Sequence, residues 1–150
     1  MSTIVNDLLA SITTSVGTTL GSEYAELPYK TDVSKNNFNT NNNRYGVLAN
    51  ASLQVDSVTR FVTMSQAYEV VLTKAYADDG ISDDDKQAQT SDAQDLVYDI
   101  YKSLVNTKAG IPSVVINITD LSIEVPEYLT EEKVVVIRAS FNVLYRFTLI

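Results

Sequence analysis

The residues of this chain best equipped for chemistry are its clustered carboxylates. Asp78, Asp79, Asp83, Asp84 and Asp85 crowd into ADDGISDDDKQAQ, and Glu124, Glu127, Glu131 and Glu132 gather further on. Closely spaced Asp side chains can supply the several oxygens that a hard cation such as Ca²⁺ requires. Their spacing departs from the calcium-loop pattern D-x-[DN]-x-[DN]-G-x₅-E, and acids at a helix start are also what the helix dipole favours on ordinary grounds. Paired Glu residues can divide general-acid and general-base work only inside a cleft that drives their pKa values apart. The turn-rich PEYLTEEK stretch reads instead as solvated loop. The chain has no histidine, cysteine or tryptophan. Histidine-based triads, thiolate nucleophiles, imidazole ligands and disulfides are therefore excluded. No glycine-rich phosphate loop and no GxSxG elbow is present. The reading is a non-enzyme with no cofactor.

Residue types suited to binding are more plentiful. The stretch KNNFNTNNNRYG, 35–46, holds six asparagines and no apolar period, so it reads as an exposed loop or hairpin tip. Asn36, Asn37, Phe38, Asn41, Asn42, Asn43 and Arg44 are its candidate interface residues, a recognition element ordering on contact or a plain surface loop. Arg138 and Arg146 share the polar face of the last strand. They can meet acids of a neighbouring subunit, or pair with the adjacent strand of their own chain. Of nine tyrosines, Tyr98 and Tyr101 stand three apart on a helix, at the rim of a core or of an interface.

The whole chain sets the frame for these groups. Its 150 residues, 45% hydrophobic, suit one domain, 1–150, with a real core. No run has the length of a membrane span, and the first twenty residues lack the basic start of a signal peptide. A net charge of −8 opposes binding to nucleic-acid phosphates, although a negative wall would let DNA slide past.

Periodicity assigns the elements. Ile4, Val5, Leu8, Leu9, Ile12 and Val16 recur at helical spacing, predicting a helix over 3–16 that Gly17 and Gly21 close. Residues 25–31 predict a short strand, held to an edge by Pro28. Alternation predicts strands over 45–56 and 60–77, paired as an antiparallel hairpin turning near Asp56 and Ser57. Ser82 and the three acids after it start a second helix, striped by Ala88, Leu96, Val97, Ile100, Tyr101, Leu104 and Val105, which Gly110 and Pro112 end. Residues 114–125 form a further strand, and 126–132 connect it to the last. The order α-β-β-β-α-β-β implies an α+β two-layer sandwich, its two helices on one face of a largely antiparallel sheet. The other face, semi-polar with Tyr, Thr, Ser and Asn, suits contact with another subunit more than bulk core.

The final strand alternates from Val135 to Leu149. Straight, Lys133 to Ile150 would span about 60 Å, against a domain diameter of about 40 Å. Such a strand must bend or reach a neighbouring subunit.

This succession, ending the chain in FNVLYRF, resembles the tail terminator proteins of long-tailed bacteriophages and the tail-completion proteins of the same necks. The resemblance lies in the order of elements and carries no signature motif, so no site residue transfers with it. It implies a structural virion protein, assembled in the host cytoplasm, that forms a homohexameric ring. The ring caps the tail tube protein, joins it to the head-tail connector protein and passes DNA through its lumen. Under that reading the acids at 78–85 line the lumen or an outer acidic surface. The rivals are a head-completion or adaptor protein of the same neck, a carboxylate-based metal-binding domain or enzyme, and a plain small-molecule binding module.

Overall fold

The computed structural model describes residues 2–27, 43–58, 61–75, 83–129 and 134–148. Two helices, α1 (Ser2–Leu20) and α2 (Asp83–Thr107), accompany six strands: β1 (Ala25–Glu26), β2 (Arg44–Val58), β3 (Phe61–Ala75), β4 (Val115–Ile123), β5 (Glu127–Leu129) and β6 (Val134–Thr148). The strands form one mixed sheet in the order β1-β2-β3-β6-β4, with β5 also paired to β6. Both helices lie on one side of it, so the fold is α+β. Among the described residues, no helix is long and apolar enough to cross a membrane.

The spacing of the apolar positions explains how the helices dock. Leu8, Ile12 and Val16 of α1 are fully buried, one residue per turn. The predicted stop at Val16 falls one turn early. The helix passes through Gly17, whose missing side chain makes room for Tyr45, and ends at Gly21 with φ +83° and its N–H bonded to the Gly17 carbonyl. On α2 the buried stripe is Thr90, Ala93, Val97, Ile100 and Leu104, whereas Ala88 and Val105 are exposed. The stretch Lys108–Gly110 then turns through three consecutive positive φ angles, and the Ser11 hydroxyl donates to the Ala109 carbonyl, tying α1 to the end of α2.

The strands pair within the chain. β3 and β6 are antiparallel over their whole length, from Phe61↔Thr148 to Ala75↔Val134. The over-long final strand is thus an interior strand. Its partners are β3 on one side and β4 and β5 on the other, and its length alone does not require a neighbouring subunit. β2 and β3 form the expected hairpin, but Asp56 and Ser57 belong to β2, and residues 59–60 between the two strands lie outside the described residues. β1 takes the expected edge place, parallel to β2 through Ala25↔Arg44 and Glu26↔Tyr45.

Strict alternation fails in β4. Register shifts between Val115 and Asn117 and between Thr119 and Ser122 each insert a residue, so Val115 and Ile118 are both buried although three apart. Asp120, at φ +64°, occupies the second bulge. The segment expected to be a plain connection contains β5. One core lies between sheet and helices. A smaller cluster of Leu27, Val71, Val134 and Val136 sits on the opposite sheet face at one end. The run VVVI, buried at all four positions, supplies both cores at once.

Candidate interaction surface

Beyond that small cluster, no element among the described residues covers the helix-free face of the sheet. Register places Thr63, Ser65, Ala67 and Glu69 of β3 beside Ser140, Asn142, Leu144 and Arg146 of β6 on this face. Asn117 and Thr119 of β4 flank them. Asn142 and Arg146 are exposed and the other β3 and β6 residues half-buried, while their neighbours in the strand on the other face (Met64, Tyr68, Val143, Tyr145) are buried under the helices. Short polar side chains on paired strands give a flat surface that a second protein can approach closely. The Asn142 amide donates to the Asp120 carboxylate at 3.0 Å, which anchors the bulge of β4 to the central strand.

Charge is unevenly spread along this surface. Arg138 donates through Nη1 to Glu127 Oε2 at 3.0 Å, and its Nε lies 3.6 Å from Glu69 Oε1. β5 supplies Glu127 and β3 supplies Glu69. The N–H of Glu124 bonds to the Arg138 carbonyl at 2.8 Å. Burial pushes the Glu69 carboxyl above its usual value; Glu124 adds to the rise and Arg138 opposes it. Two carboxylates, of Glu69 and Glu127, thus meet the Arg138 guanidinium, while Arg146 stands toward the far end of the same face.

This arrangement places the sequence candidates. Arg138 makes the intrachain cross-strand pairing. Arg146 is exposed on the helix-free face, its backbone N–H bonded to the Val114 carbonyl. Asn43 and Arg44 lie where β1 meets β2: the Asn43 carbonyl accepts from the Ala25 N–H, and the Arg44 N–H donates to the Thr73 hydroxyl. Asn36, Asn37, Phe38, Asn41, Asn42, Asp78, Asp79, Glu131 and Glu132 lie outside the described residues, as do the side chains of Asp83, Asp84 and Asp85, whose backbone forms the first turn of α2. Glu127 pairs with Arg138 through its side chain and Glu124 bonds to the same residue through its backbone, and both are exposed. Sequence reading missed Glu69 as a partner; its signal was a lone acid in mid-strand on the polar face of β3.

Among the described residues, no group of carboxylates has the geometry to hold a metal ion. A cavity of about 10 Å³ lies between α2 and the sheet, lined by Val70, Val97, Ile100, Tyr101, Leu121, Ala139 and Phe141. That is about the volume of one water probe, and its lining is apolar apart from the Tyr101 hydroxyl, which donates to the Ile118 carbonyl.

No known family model matches this chain, and no curated protein sequence matches it significantly. The helix-free sheet face is therefore read on its own chemistry.

Proposed function

We propose that this chain is a structural assembly protein of a long-tailed phage particle. Copies of it form a ring that caps the tail tube, meets the head-tail connector and lets DNA pass through the lumen. The observation that carries the reading is the helix-free face of the sheet: a field of Thr, Ser, Ala and Asn on the long β3–β6 ladder that no described element covers, where the opposite face is buried. The net charge of −8 supports a lumen to which DNA does not adhere. The order of elements supports the tail-terminator assignment over other assemblies.

The test is co-expression with the tail tube and connector proteins of one particle, followed by affinity capture and negative-stain imaging. Rings retained on tube ends support the assignment. Retention on the connector alone favours the adaptor role in the same neck. Capture of neither component rejects the neck reading.

A further inference from the structure

Among the described residues, the large apolar side chains left exposed gather on one flank, where α2 lies over the outer edge of the sheet. β4 ends the strand order, with β6 on one side and no described strand on the other. The N–H and C=O groups that alternate along the outer side of such a strand are therefore without a described partner strand. α2 runs beside β4 in the opposite direction: Tyr101 donates to the Ile118 carbonyl at 3.2 Å, and Thr90, nearer the start of the helix, bonds to Tyr128 on β5, beyond the end of β4. Tyr98 and Val105 stand about one helical turn either side of Tyr101 on the same flank, and both are exposed. Ile116 of β4 and Val125, in the link to β5, are exposed along the same border. A free strand edge beside a row of apolar side chains is the geometry that accepts an added strand, held by main-chain hydrogen bonds and selected by its alternate side chains.

We propose that this flank binds an extended segment of another polypeptide, added as a strand beside β4 and carrying apolar residues at alternate positions with lysine or arginine among them. The backbone edge selects an extended chain over a helix. Charge selects a cationic one. Along the bordering stretches of α2, β4 and the link after it, Asp95, Asp99, Asp120 and Glu124 are exposed. Against them stand Lys108 and Lys102, and the Lys102 ammonium already lies 5.5 Å over the Tyr98 ring. A second copy of this chain, with its net charge of −8, is the poorer occupant of this edge on the same ground. The two bulges of β4 keep the pairing short: between them only residues 117–119 hold regular register with β6. Bulges of this kind protect an edge from indiscriminate pairing, which leaves the apolar row of α2 to supply selectivity. This edge is separate from the polar sheet face, so the binding does not depend on the ring.

Selection from a random linear peptide library on the full chain tests it, with the affinity of enriched peptides measured by fluorescence anisotropy. The enriched peptides should alternate apolar residues with lysine or arginine. Tyr98→Asp and Val105→Asp change exposed side chains, should leave the circular dichroism spectrum unaltered, and should each weaken binding by about tenfold or more. A readout that needs no protein variant is N-methylation of the peptide backbone. Methylation at alternate residues should abolish binding, and methylation at the residues between them should leave it near the parent value, because only every second N–H of an added strand meets β4. Failure to enrich any peptide, enrichment of acidic peptides, binding that survives both aspartate variants, or an N-methylation series without a two-residue period would each overturn the proposal. Self-association of the purified chain that is lost in Tyr98→Asp would also overturn it, since the occupant of this edge would then be a second copy.

Discussion

Replacing Tyr145 by Phe should make this protein more stable. Tyr145 is fully buried at the end of β6 that lies beside Met64 and Val115, and its hydroxyl has no hydrogen-bond partner among the described residues. A buried hydroxyl left unpaired costs about 1–3 kcal/mol. Removing the oxygen leaves a gap on the order of 10 Å³, worth about 0.25 kcal/mol against the change. The net expectation is a gain of about 1 kcal/mol, which raises the thermal midpoint by about 3 °C in a chain of this size. Tyr68→Phe is the internal control. Tyr68 is equally buried, but its hydroxyl donates to Gln66 Oε1 at 3.3 Å, so its removal should cost about 0.5–1.5 kcal/mol. Urea denaturation followed by far-ultraviolet circular dichroism measures both variants at a common slope. Opposite signs for the two substitutions are the expected result. A loss of 1 kcal/mol or more for Tyr145→Phe would refute the reasoning, because it would mean that this hydroxyl is satisfied in the folded protein.

Three further outcomes are expected. Gly17→Ala places a Cβ 2.5 Å from the Tyr45 hydroxyl and 3.1 Å from its Cζ, so it should destabilise by about 1–2 kcal/mol despite the better helix propensity of alanine, and Tyr45→Phe should recover part of the loss in a double-mutant cycle. Burial raises the tyrosine pKa values of Tyr24, Tyr45, Tyr68 and Tyr145, so above about pH 10 the unfolded chain releases protons that the folded one keeps; stability should be level below that pH and fall as pH rises through the raised values, with tyrosinate absorbance at these sites appearing at higher pH in the folded than in the unfolded chain. Thr90→Val removes the bond between a buried α2 hydroxyl and that of Tyr128 on β5, and should lower stability by about 1 kcal/mol in chemical denaturation.

Much of the fold was legible because side-chain period and burial coincide in it. Leu8, Ile12 and Val16 announced α1, the alternation of β2 and β3 announced their hairpin, and that of β6 announced its buried face. Legibility ended where the backbone departs from its period. Two bulges in β4 reverse its faces, and nothing in VINITDLSI marks Asp120 as left-handed. Gly17 looked like a helix stop because glycine commonly is one; here it answers a close approach by Tyr45, a contact between residues distant in sequence. β5 is three residues long, too short for any period to register. The length of β6 suggested an unmet need for partners, yet three strands of the same chain meet it, since strand length says nothing about position in the sheet. Of the candidate surface, the polar strand face and its two arginines were visible in the sequence. The carboxylates that meet Arg138 were not, because Glu69 and Glu127 come from separate elements that only the sheet brings together.

The central claim, that the helix-free sheet face is a surface for assembly, is most directly tested by the solution mass of the purified chain. Multi-angle light scattering across a hundredfold concentration series at low ionic strength should show a mass rising above the 16.5 kDa of a single chain. A mass that stays at 16.5 kDa throughout, in the absence and in the presence of tail tube and connector proteins, would contradict it.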